Sequence, residues 1–152
     1  MVKALQALKD VKPLLTVSAI ERAEKLANTA LATIFDFPAT LRYSEEDGRF
    51  LIDTPEGEAD LQEGSGGGLQ AVVSFVFQVF LLMKEGGRLF IALDEAFTQL
   101  DDEALEKFVD FLNKLCDDLK MDIVLISHDA RILPEQVKHL YRIEGGKSIK
   151  IK

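Results

Sequence analysis

The sequence predicts an α/β fold built on a buried parallel β-α-β core, with a helical segment before it and a β-hairpin after it. Three observations carry this. Two short runs, Arg88–Leu93 and Asp122–Ser127, are apolar through their interiors, as in strands covered on both faces of a parallel sheet. Between them Leu105, Phe108, Val109, Leu112, Cys116 and Leu119 recur at the spacing of one helix face. Strand, helix and strand in that order make a crossover unit, expected to be right-handed.

In chain order, residues 1–11 read as a helix interrupted at Pro13. Ala4, Leu8, Val11 and Leu15 keep a heptad-like interval, over two heptads only. A second helix over 17–35, capped by Thr16 or Ser18, places Ile20, Ala23, Ala27, Ala30, Leu31 and Ile34 on one face. Strands at 40–44 and 49–53 flank the turn signal Glu46-Asp47-Gly48. An acidic, glycine-rich loop then spans 54–68. It opens a helix with Leu69, Val72, Val73, Val76, Phe80 and Met83 on one face, and Phe75, Phe77, Val79 and Leu82 on much of the rest. A helix apolar nearly all round needs cover on more than one side, which in so short a chain points to a partner. Gly86-Gly87 ends it, and Asp101 or Asp102 caps the crossover helix. A short helix near 134–137 precedes a hairpin, 139–143 with 148–151, around Gly145-Gly146. The chain divides into a helical segment, 1–35, and a lobe, 36–152.

A length of 152 residues suits a single core. The net charge of −8 excludes a surface basic all over, so wide nucleic-acid contact by this chain alone is not expected. From Arg131 onward six Lys/Arg face two acids, a tail that reads as a solvated strand or as a phosphate contact. The single Cys116 excludes an internal disulfide and fits a reducing compartment. No secretion signal opens the sequence, and the apolar stretch 71–83, broken by Ser74 and Gln78, is short for a bilayer. A cytoplasmic protein without membrane contact is expected.

The residues with chemistry fall at element ends. Asp94-Glu95 closes an apolar strand, where open α/β sheets place their ligands. One carboxylate there holds magnesium and its neighbour handles a water, although two acids also merely cap a turn. Ser65-Gly66-Gly67-Gly68 offers unobstructed amides and a hydroxyl at a helix start, suited to an anion or to a flexible cap. His128, after the second apolar strand, suits a γ-phosphate oxygen or a strand-to-loop turn. Their order reads as one half of an ATP-hydrolysing site. No segment matches G-x-x-x-x-G-K-[ST], so the phosphate cradle is the missing half.

Residues 64–129 resemble the C-terminal half of a P-loop NTPase of the ABC type, in the DNA-repair and chromosome-maintenance branch: SMC proteins, the SbcC-type ATPase, RecF and RecN. That family's signature loop, Leu-Ser-Gly-Gly-(Gln/Glu), is matched by Ser65, Gly66 and Gly67. Its Walker B strand is matched by Asp94 and Glu95, its D-loop by Leu100-Asp101 and its switch histidine by His128. The hairpin before the signature loop resembles 40–53, and a returning coiled-coil arm corresponds to 1–35. Gly64 stands where leucine is usual, Gly68 where an acid or amide is usual, and Ala96 where proline is frequent.

The resemblance implies ATP and Mg2+, with Asp94 on the metal, Glu95 and His128 catalytic, and Ser65, Gly66, Gly67 and Asp101 at the nucleotide and dimer seam. It implies two heads sandwiching two ATP molecules, and a Walker A lobe supplied by another chain or by a further segment. A nuclease subunit, DNA reached through the assembly, and a role in DNA repair or recombination, in the cytoplasm or nucleoid, follow from the same likeness. Two rivals remain: a non-hydrolysing docking module of the same shape, and a metal phosphohydrolase using His128-Asp129. The second is short of ligands, since the chain has two histidines.

Overall fold

Alanine spacing sets the first helix, α1 (Val17–Ile34), which turns Ala19, Ala23, Ala27, Ala30, Leu31 and Ile34 inward. The computed structural model describes residues 17–129, 131–132 and 134–152. The helix expected at 1–11, the heptad interval ending at Leu15 and the cap at Thr16 lie outside them. Ser18 lies inside α1 and is not its cap. Small side chains along its buried face let α1 pack against α2 (Gly67–Glu85) and α3 (Asp102–Leu119).

β1 (Thr40–Ser44) and β2 (Arg49–Thr54) pair antiparallel as expected, across a turn in which Gly48 takes φ 62°. A third strand, β3 (Gly57–Asp60), adds to the free edge of β2 and makes a meander where the sequence suggested only loop. Gly-Glu-Ala-Asp has little strand propensity of its own. Pairing supplies the strand: Gly57, at φ 124°, helps reverse the chain, and the acids of the supposed loop become partners of Arg42 and Arg49. The meander is tied to α1 by Asn28, whose carboxamide donates to Leu41 O at 3.0 Å and accepts from Leu41 N at 2.6 Å.

Much of the apolar circumference of α2 is covered within the chain, although Met83 near its end is 45% exposed. α1 lies along one side. Phe77 meets Phe50 of β2 at 4.9 Å, and Phe75 meets Phe97 and Phe108 edge-on at 5.9 and 5.4 Å. By length and composition α2 also passes as a membrane span, but Val72, Val73, Phe75, Val76, Phe77 and Val79 belong to the core.

β4 (Phe90–Asp94) and β5 (Asp122–Ile126) pair in parallel with α3 as the crossover, the expected β-α-β unit. The expectation of cover on both faces is not met. Ile91 and Leu93 are 7% and 5% exposed, whereas Phe90, Val124 and Ile126 are 51%, 47% and 54% exposed. The register puts Phe90, Ala92 and Asp94 with Asp122, Val124 and Ile126 on one side of the pair, and no described element covers that side. After a short 3-10 turn at Pro134–Gln136, β6 (Tyr141–Glu144) and β7 (Lys147–Lys150) form the closing hairpin, exposed along its length. Its two-residue loop, Gly145-Gly146, takes positive φ at both positions, which glycine adopts without strain.

Candidate functional site

Asp94 ends β4 on the bare side of the sheet, exposed to solvent. Glu95 leaves the strand with φ 51°, an uncommon conformation for a residue with a side chain. Its N–H donates to Ile126 O at 2.9 Å, which holds the turn against β5. This brings Glu95 Oε1 to 2.7 Å from His128 Nδ1, and His128 N–H also donates to it at 3.2 Å. Glu95 Oε2 is buried and has no hydrogen-bond partner among the described residues. A buried carboxylate oxygen without a donor is costly, and a water satisfies it as well as a bound group does. The hydrogen bond and charge of Glu95 raise the pKa of His128, whose ring is otherwise exposed.

The glycine-rich loop lies elsewhere. Gly66 holds the cap position of α2 without a side-chain cap, leaving the first amides of the helix to other partners. The Ser65 hydroxyl donates to Leu61 O at 2.6 Å, so it faces its own loop. A Cβ on Gly67 would fall 1.3 Å from Gln99 Oε1, one on Gly68 3.0 Å from Leu100 Cδ2, and one on Gly64 3.0 Å from Ala59 Cβ. At 64 and 68 a side chain would be close to Ala59 of β3 and to Leu100 respectively, so glycine fits both positions without displacing a neighbour. Together these segments line a cleft of about 510 Å³, walled also by Phe35, Phe37 and the Pro55 turn. Asp101 borders it, with its Oδ1 accepting from Ala104 N at 2.8 Å as the cap of α3.

The sequence-derived residues therefore fall into two groups. Asp94, Glu95 and His128 share the carboxyl end of the β4–β5 pair, while Ser65, Gly66, Gly67 and Asp101 share the cleft. Two participants carried no sequence signal: Gln99, seated over Gly67, and Arg131, which had counted only as one basic residue of the tail. Arg131 pairs with Asp129 through Nε and Nη2 at 2.9 and 2.6 Å, and its Nη1 donates to Leu100 O at 2.8 Å. That pairing pushes the Asp129 carboxyl down to about 2 and raises the guanidinium. Gly146-Lys147-Ser148 reproduces the tail of a phosphate-cradle motif, but it sits in an exposed hairpin and leads into a strand.

The donor set fits magnesium. Among the described residues no cluster of three or more His, Cys, Asp or Glu forms a cage. Magnesium needs none, since it keeps several waters and takes one or two carboxylates with phosphate oxygens. Asp94 is an exposed oxygen donor at the strand end, with the Glu95 carboxylate next to it in the chain and free to handle a water.

No protein-family model and no curated protein matches the chain. Solved structures do. One, from work on ATP-driven dimerization and DNA-stimulated activation of SMC ATPases, aligns over 88% of this chain and 85% of its own, with a TM-score of 0.65 and 15% identity. The SMC head domain from Thermotoga maritima aligns over 89% of this chain at a TM-score of 0.58 and 23% identity. The SMC head of Pyrococcus furiosus with an extended coiled coil, bound to the C-terminal domain of ScpA, aligns over 86% at 0.62 and 16%. The chain has the fold of an SMC ATPase head. It spans 48% and 34% of the length of the last two. The α/β class expected from sequence, with its parallel core and C-terminal hairpin, is the observed one.

Proposed function

We propose that the chain is the C-terminal lobe of an ABC-type ATPase head, which completes an ATP site with a second lobe bearing the phosphate-binding lysine. One observation carries this reading: Asp94 stands on the same uncovered sheet face as Phe90, Val124 and Ile126. Parallel sheets are buried on both faces. Whatever covers this one arrives beside the carboxylate, where a phosphate chain would need its metal. The partial span of longer SMC head chains supports the same arrangement.

The chemistry follows from the two groups. Glu95 Oε2 accepts a hydrogen bond from a water, whose oxygen attacks the γ-phosphorus. The bond from that phosphorus to the β–γ bridging oxygen breaks, ADP leaves with the electron pair, and Glu95 takes the water's proton and releases it to solvent. As the imidazolium that Glu95 favours, with Nδ1–H held by Glu95 Oε1, His128 donates Nε2–H to a γ-phosphate oxygen. Asp94 would hold Mg2+, which would supply charge neutralisation to the phosphate chain. In a two-head sandwich, Ser65, Gly66 and Gly67 close on the nucleotide of the opposite head, with Asp101 at the seam. For this the Ser65 hydroxyl must leave Leu61 O. DNA reached through the assembly, a nuclease subunit and a place in DNA repair or recombination complete the reading from family likeness.

The test is reconstitution. The isolated chain binds ATP weakly and turns it over negligibly, and mixing with a Walker A lobe restores Mg2+-dependent hydrolysis. Glu95→Gln in that assembly lowers kcat by about 10²–10⁴-fold while ATP still binds. Strong turnover by the chain alone, abolished by the same substitution, contradicts the shared site. An assembly whose cellular function survives Glu95→Gln unchanged favours a docking module.

A further inference from the structure

We infer that Arg131 is a positioning residue that ties the loop carrying His128 to the start of α3, so that the Glu95–His128 edge and the Gln99–Asp101 wall of the cleft are held as one unit. This rests on the ATPase reading for its catalytic consequence, but its geometry stands independently. The guanidinium is used on two sides. Nε and Nη2 form a forked pair with the Asp129 carboxylate, and Arg131 N–H donates to the same carboxylate at 3.0 Å. Nη1 turns the other way, to Leu100 O at 2.8 Å and Asp102 Oδ1 at 3.1 Å. Asp129 N–H donates to Ser127 Oγ at 3.0 Å, so the loop is braced on both sides of His128.

Leu100 lies between Gln99, which covers Gly67, and Asp101, which caps α3. Contact therefore runs unbroken from Glu95 through His128, Asp129, Arg131 and Leu100 to Gly67 and Gly68. The Asp129 side chain is 16% exposed and that of Arg131 33%, so the pair is partly shielded from water. A planar fork with five donors satisfies a carboxylate and a carbonyl on opposite sides at once. Lysine, a single point of charge, does not.

Two measurements test this on the chain as it exists. With His128 and His139 its only histidines, ring resonances of an isotope-labelled sample are separable. Arg131→Ala shifts the His128 ring resonances and, with them, the backbone amides of 100–102. Arg131→Lys restores the Asp129 side but not the amides of 100–102. Asp102→Asn alters a side chain that is 88% exposed, which the fold tolerates, and moves the His128 ring in the same direction by less. A His128 ring unmoved by both Arg131→Ala and Asp102→Asn overturns the inference.

In the reconstituted ATPase, Arg131→Ala lowers kcat by about 10- to 100-fold with KM within about 2-fold, the signature of lost positioning. An unchanged kcat overturns the catalytic role. A wild-type assembly that fails to hydrolyse ATP removes the ATPase reading instead, and the ring resonances still decide the contact between loop and helix.

Discussion

The two faces of the β4–β5 pair have opposite fates. On one, Ile91 and Leu93 join a core that includes Phe75, Phe97, Phe108 and the alanine face of α1. On the other, Phe90, Val124 and Ile126 remain about half exposed beside Asp94. The first face shows that the chain closes a core by itself. The second is closed by no described element, and it is the side that carries a proposed metal ligand. Stability and the proposed chemistry are thus divided across a sheet of two described strands, whose helical cover among the described residues lies on one side.

Three substitutions sharpen that contrast. The largest effect falls on the covered side. Phe108 is 1% exposed and touches three other aromatic rings. Phe108→Ala destabilises the chain by about 3–5 kcal/mol through lost burial and the cavity left behind, read from denaturant midpoints. Next comes the bare side. Ile126→Asp changes stability by no more than about 0.5 kcal/mol, since the residue is half exposed, yet weakens association with a Walker A lobe by about 2 kcal/mol or more, measured calorimetrically. Large destabilisation of the isolated chain by Ile126→Asp would break the comparison, because that face would then already be covered. The smallest effect is at the helix start between the two regions. Asp101→Ala removes the α3 cap and costs about 1 kcal/mol in thermal or denaturant unfolding.

Much of this was legible along the chain. The stripes of α1 and α3, the ends of β1, β2 and β5, and the turn at Gly145-Gly146 follow from periodicity and turn chemistry, which are local. The cap at Asp101 was one of two candidates, and only the observed bond to Ala104 N separates it from Asp102. β3 was not legible, because a Gly-Glu-Ala-Asp segment becomes a strand through the free edge of β2 and through Arg42 and Arg49. Nor was the cover of α2, which comes from Phe50, Phe97 and Phe108 at long separations in sequence. The sequence pointed to a partner for that helix. The structure buries Val72, Val73, Phe75, Val76, Phe77 and Val79, leaves Met83 45% exposed, and shows a second apolar surface, on the sheet, that no described element covers.

For the site, the sequence alone determined which residue types stand at which element ends: two acids after one strand, a histidine after the next, glycines before a helix. Those depend on nearest neighbours and spacing. The tertiary structure decided that Glu95 and His128 touch, that Asp94 shares a face with Val124 and Ile126, and that Arg131 reaches Leu100. These contacts span roughly thirty residues and depend on the parallel register of β4 and β5 and on the left-handed turn at Glu95. The hydrophobic pattern of the strands pins that register, and a one-residue slip of β5 would carry Val124 and Ile126 to the opposite face.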